Sequence, residues 1–167
     1  MNAVESSEST SIVDWGTAPL AHLISHILKR YHQPHRLQLP DVIRLAIKVE
    51  QVHAGHPDCP SGLAVHLHDM LQELESHMQK EEQVLFPLIV HGRGAMAVGP
   101  IAVMRMEHEQ HGDALDRLAA LTGGLALPAD ACNTWRTLYQ QLDAFRQDLA
   151  DHIRLENEVL FARAAAG

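Results

Sequence analysis

Apolar residues recur along this chain at intervals of three and four, over stretches long enough to be helices. Leu20, Leu23, Ile24, Ile27 and Tyr31 fall on one face. Leu67, Met70, Leu71, Leu74, Met78, Val84, Leu85 and Leu88 form a second stripe, and Ile101, Met104, Leu115 and Leu118 a third. Trp135, Leu138, Leu142, Phe145, Leu149, Val159 and Leu160 form a fourth. This is the spacing of helices that turn one face to a core. No stretch alternates with period two and no Asn-Gly turn occurs, so no strand is expected. The first helical segment, Leu20 to His32, is predicted to break at Pro34 and Pro40 and to resume from Pro40 to about Ala54. Further helices are predicted from Leu63 to about Val90, from Pro100 to Leu121, and from about Asp130 to Ala164. The segments 55–62, 91–99 and 122–128 carry the Gly and Pro of loops. Long helices with short connections predict an all-α antiparallel four-helix bundle over 18–167. Residues 1–17, polar and rich in Ser and Glu, are expected to be a disordered lead-in.

Three of the stripes are interrupted by residues foreign to a core. The second includes His77 and Glu81, the third His108 and His111, the fourth His152 and Glu156. An unpartnered buried carboxylate costs on the order of several kcal/mol. His77-x-x-x-Glu81 and His152-x-x-x-Glu156 each set an imidazole and a carboxylate on one helix face, one turn apart. A single such pair looks the same as an exposed ion pair, and a single stripe histidine the same as a hydrogen-bonded core residue. Two pairs on core stripes, with His108 on a third, point instead to a buried metal. Imidazoles and carboxylates without thiolate suit iron, manganese or zinc. Two glutamates shared by clusters of histidines favour a dinuclear iron centre. The order His-then-Glu and the excess of nitrogen donors favour a hemerythrin-like bundle over the ferritin-like arrangement built on Glu-x-x-His. His108-Glu109-Gln110-His111 is one residue short of the zinc-protease signature.

Composition removes other function classes. The formal net charge of −8 argues against a nucleic-acid surface and against binding to anionic membranes. No apolar run approaches the roughly 18 residues of a membrane helix. The polar, acidic start lacks the plan of a signal peptide, so cytoplasmic residence is expected. Cys59 and Cys132 form no Cys-x-x-Cys and cannot by themselves build a zinc or iron–sulfur site. Histidine is the anomaly: 13 are scattered through the chain, as many as all Lys and Arg together.

Several segments carry a more specific likeness. They are Ala18-Pro19-Leu20-Ala21-His22-Leu23-Ile24, Arg30-Tyr31-His32, Lys48-Val49-Glu50-Gln51-Val52-His53, His77 to Pro87, Gly99-Pro100-Ile101, Glu107-His108-Glu109, and Asp151 to Phe161. Through them the chain, over roughly 14–167, resembles the hemerythrin-like di-iron proteins of the iron–sulfur cluster repair (RIC) family. The resemblance implies His32, His53, His77, His108 and His152 as iron ligands, with Glu81 and Glu156 bridging two non-haem irons that also share an oxo or hydroxo group. His32 and His53 rest on the resemblance; their rivals are His35 and His56, each three residues away. On one continuous helix His32 and His53, 53 − 32 = 21 residues apart, would stand about 31 Å from one another, so both can serve one centre only if the prolines turn the chain back. His111, one turn from His108, is a candidate ligand or ligand support. Glu73 and Glu107 fit support of a histidine, the lining of an iron path, or a solvated face.

The family role so implied is repair of iron–sulfur clusters damaged by nitric oxide or oxidative stress, through labile iron or handling of nitric oxide. Damaged iron–sulfur proteins, O2 or NO, and a reductant of unknown identity would be the partners. Reversible O2 or NO binding or sensing, and reduction of NO or peroxide, are the alternatives. The family usually carries a small N-terminal domain with an adjacent Cys-Cys pair. Residues 1–17 are too short for it, so a short-form member or a stand-alone core is expected.

Overall fold

The four apolar stripes meet along one axis. The computed structural model describes residues 11–167, and among them every regular element is helical. Four long helices follow one another: α1 (20–52), α2 (63–90), α3 (94–121) and α4 (133–166). They pack antiparallel. At one end Leu23 and Ile27 of α1 meet Leu85, Phe86 and Ile89 of α2, Ile101 and Met104 of α3, and Leu160 and Phe161 of α4. At the other end Leu39, Val42 and Val49 of α1 meet Leu67 and Leu74 of α2, Leu118 of α3, and Trp135, Leu142 and Phe145 of α4. Each fully buried side chain of this kind contributes about 1.5–3 kcal/mol. Between the two apolar cores lies a layer of buried polar residues: His32, His35, His77, Glu81, His108, His111, His152 and Glu156.

The connections are closed by local chemistry. Gly92 takes φ +68° after α2, which lets the Gly92 and Arg93 amides donate back to Ile89 and Leu88 at 3.1 and 2.9 Å. Gly123 does the same after α3. The start of α2 has no capping side chain of its own. Glu50 of α1 reaches across instead, its carboxylate accepting from the amides of Gly62 and Ala64 at 2.6 and 2.9 Å.

Three helices are not α-helical throughout. Each contains one five-residue π turn: Leu28–His32 in α1, Glu81–Leu85 in α2 and Glu156–Leu160 in α4. A π turn takes in one residue more than an α turn, so the buried face beyond it moves on by one position. The stripe of α2 therefore continues through Phe86 and Ile89 rather than Val84 and Leu88, and Val84 is 51% exposed. In α4 Phe161 is buried where Val159 was expected.

The π turns also bear on the expected break at Pro34 and Pro40, which does not occur: the helix runs on through both. Pro34 is the second residue after the π turn of α1, as Pro87 is the second after that of α2. The wider turn gives a proline ring room that an α turn would deny it. Pro40 lies on the exposed face, where water can satisfy the carbonyl it leaves unpaired. Two other boundaries differ. α3 starts at Gly94, six residues before Pro100, because Gly92 completes the turn early. Of the expected lead-in, residues 1–10 lie outside the described residues. Its end is ordered: the Gly16 amide bonds Asp14 Oδ1, Trp15 packs on His26 with ring centroids 4.5 Å apart, and Arg163 donates to the Trp15 carbonyl at 2.7 Å. Among the described residues no helix is long and apolar enough to cross a membrane.

Candidate metal centre

The polar layer is assembled from all four helices, and the three π turns lie at its height. His32 closes the first, Glu81 opens the second and Glu156 opens the third. Side chains converge there in two groups whose donor atoms lie within 4.8 Å of one another: His32, Glu81, His152 and Glu156, and His77, Glu81, His108 and Glu156. Both groups contain both carboxylates. All six residues are buried.

The atoms that face inward are arranged as donors to a cation. Glu81 Oε2 lies 3.1 Å from His32 Nε2, and Glu81 Oε1 lies 3.2 Å from His77 Nε2. Glu156 Oε1 touches His152 Nε2 and lies 3.8 Å from His108 Nε2. None of the four carboxylate oxygens has a hydrogen-bond partner, nor do His32 Nε2 and His152 Nε2. His77 Nε2 and His108 Nε2 face each other at 3.1 Å.

The outer nitrogens explain why. His32 Nδ1 donates to Glu82 Oε2 at 3.2 Å, His77 Nδ1 to Glu107 Oε1 at 3.1 Å, and His108 Nδ1 to Asn157 Oδ1 at 2.8 Å. His152 Nδ1 donates to His35 Nε2 at 3.1 Å. With the proton held at Nδ1, each neutral imidazole turns a bare lone pair inward at Nε2. Lone pairs opposed to carboxylates and to each other repel unless a cation lies among them, so the donor set fits metal.

The partners follow an order around the bundle. α1 holds the His152 of α4 through His35, and α2 holds the His32 of α1 through Glu82. α3 holds the His77 of α2 through Glu107, and α4 holds the His108 of α3 through Asn157. Glu82 is fixed in turn by Arg36, whose guanidinium also grips Glu75 at 2.8 and 3.0 Å. Glu107 is paired with Lys80. His35 donates from its own Nδ1 to Gln38 Oε1 at 3.3 Å, and Gln38 donates to Asp148 at 3.0 Å.

Burial keeps His32, His35, His77, His108 and His111 neutral. It lowers His32 and His77 to about 4, and His35 and His111 to about 3. His108 is lowered for the same reason. Burial drives Glu81 well above the ordinary carboxylate range, and the neighbouring Glu156 carboxylate adds to the effect. Burial acts on Glu156 likewise but is outweighed, first by the His152 imidazole, which leaves it low. Without a cation the two carboxyl groups therefore share one proton as a pair.

Of the expected site residues, the structure brings His32, His77, Glu81, His108, His152 and Glu156 together. It does not bring His53 to them. Because α1 is not broken, His53 stays at the far end of the bundle, with Nε2 3.2 Å from Cys132 Sγ and its ring 4.8 Å from that of Trp135. His56 is there too, bound to Asp130 at 3.0 Å. His35, the rival of His32, enters the layer as a partner of His152 rather than in either donor group. Glu107 supports His77, one of the roles open to it. Glu82 and Asn157 were not foreseen, although each directly follows a stripe glutamate in the sequence.

Comparison with known proteins agrees with this geometry. Residues 23–164 match the hemerythrin family, described as the hemerythrin HHE cation-binding domain. The chain is 51% identical over 154 residues to the iron–sulfur cluster repair protein YtfE of Citrobacter koseri, an alignment covering 92% of this chain and 70% of that protein. It is 50% identical, with the same coverage, to proteins of the same name from Escherichia coli K12 and Shigella boydii.

Proposed function

Because the chain belongs to the hemerythrin HHE cation-binding family, and within it to the iron–sulfur cluster repair proteins, we propose that it holds two iron ions in the polar layer and serves the repair of damaged iron–sulfur clusters. His32 and His152 would hold one ion, His77 and His108 the other, and Glu81 and Glu156 both. The observation that supports this most is the pair of buried carboxylates, with all four oxygens unpartnered and both residues common to the two donor groups. Two cations stand close together only when anionic ligands shared between them offset their repulsion. When bound, the iron pair supplies exchangeable iron and redox chemistry toward nitric oxide.

The chain's own residues set the terms of binding. Neutral imidazoles give up no proton as iron binds, whereas the carboxyl pair must release the one it shares. The partners on Nδ1 fix each ring's orientation, and the two apolar cores close the layer from above and below. Four neutral donors and two carboxylates leave part of the charge of two iron ions uncompensated, which suits a protein that gives iron up. Damaged iron–sulfur proteins are the clients of this reading.

The test is iron per chain in anaerobically purified protein, followed by transfer of that iron to an apo iron–sulfur protein. Two irons, and a cluster rebuilt on the client at the protein's expense, are expected. Zinc or no metal in the purified protein, or iron that stays bound in the presence of the client, would overturn the proposal.

A further inference from the structure

His111 is buried in the polar layer but belongs to neither donor group and to none of the four supporting contacts. Only 5% of it is exposed, and its Nδ1 is buried with no partner. The ring lies 4.8 Å from that of His77 and 6.3 Å from that of His108, centroid to centroid. The same residue lines a cavity of about 390 Å³ between α2 and α3, together with Glu73, Lys80, Glu107 and Gln110. Glu107 is already engaged by His77 and Lys80. A nitrogen donor without a hydrogen bond thus stands between one half of the centre and open space. Leaving such a nitrogen buried and unpaired costs about 1–3 kcal/mol, and a helix stripe that needed only apolar filling would take Leu there.

We propose that His111 is a handover ligand: an imidazole that takes an iron ion as it leaves His77 and His108 for the cavity, and returns it on uptake. The inference rests on the function proposed above and adds the side of the centre through which exchange runs. The chemistry is ligand substitution alone. A bond from His111 Nδ1 to the cation forms as one from His77 or His108 breaks, one neutral imidazole replacing another, with no electron transferred and no change in net charge. The cation is thereby never stripped of donors in a poorly solvated interior, where the cost of a bare charge is highest. The buried histidine beside the other half, His35, has both nitrogens engaged, and there the Tyr31 ring stacks on His152 and Phe86 lies against His32.

The experiment follows ferrous iron leaving the anaerobically purified, iron-loaded protein for a colorimetric chelator. His111→Phe keeps a ring of similar size and removes both nitrogens. It is expected to retain the wild-type iron content and to release iron roughly tenfold more slowly, the scale on which residues just outside a metal's ligands act. Gln110→Leu, which changes the cavity wall without touching His111, is expected to release at the wild-type rate. Release from His111→Phe at the wild-type rate would overturn the proposal. So would a fall in its iron content, which would make His111 a resident ligand, or equal slowing by Gln110→Leu, which would assign the effect to cavity polarity. Should His111→Phe not fold, His111→Gln is read by the same criteria. Wild-type protein that binds no iron overturns the underlying function and is recognised before any variant is made.

Discussion

The two halves of the polar layer use the same donors and differ in what stands behind them. On the His32 and His152 side, Arg36 clasps Glu75 and Glu82, Tyr31 stacks on His152 with centroids 5.1 Å apart, and the second imidazole is held by another buried histidine. On the His77 and His108 side, the supporting Glu107 is tied to a half-exposed lysine, and the neighbouring His111 opens onto a cavity. Identical ligand types can thus make one guarded position and one exchangeable one. Affinity and lability are set by the surroundings as much as by the atoms that touch the metal.

The most severe way to break the contrast is to remove what the halves share. Glu81→Leu or Glu156→Leu should strip most of the metal from both sides, measured by elemental analysis, and full retention in both variants would refute the shared-carboxylate reading. Glu81→Leu should also make the metal-free protein more stable, by about 1–3 kcal/mol, since it removes a buried carboxyl group without a hydrogen-bond partner; a thermal melt reads this. A smaller effect should fall on one half alone. Arg36→Met releases Glu82 and should weaken the first side roughly tenfold or more, with Asn157→Leu doing the same to the second. Stepwise chelator competition should then show one affinity lowered and the other kept. If both fall together, the halves are not separable.

Acid should act on both halves at once, most clearly in the metal-free protein. Unfolded imidazoles titrate near 6.5, whereas burial lowers His32 and His77 to about 4 and His35 and His111 to about 3. Between those values the unfolded chain binds more protons, so stability is whole above pH 6.5 and declines as the pH falls toward 4 and then 3. Denaturant midpoints that stay level from pH 7 to 4 would contradict this. The mildest change is His53→Gln. It should leave metal content untouched and cost about 1 kcal/mol or less, through the lost contact with Cys132. Metal loss in that variant would return His53 to the centre.

Much of this was legible in the chain. The bundle, the two His-x-x-x-Glu pairs and His108 follow from helical spacing, because a polar residue on an apolar stripe needs a reason. His32 came from family resemblance, as did His53, which the unbroken helix keeps at the far end of the bundle. Pro34 and Pro87 are the signal that was available: each lies just past a π turn, and those turns moved Phe86, Ile89 and Phe161 into the core in place of Val84, Leu88 and Val159. The partners Glu82, Asn157 and His35 could not be read from one helix at a time. Each acts on a histidine of another helix, and only packing brings them together.

That cross-helix arrangement has a consequence for inheritance. Each helix both offers a donor and steadies the donor of its neighbour, and the dependence closes on itself around the bundle. Drift at Glu82 is felt at His32, on a different helix some 50 positions earlier in the chain, and drift at Asn157 is felt at His108. These residues are therefore expected to vary together or not at all, and paired substitutions around the circuit to depart from the sum of their separate effects. The centre is passed on as one unit.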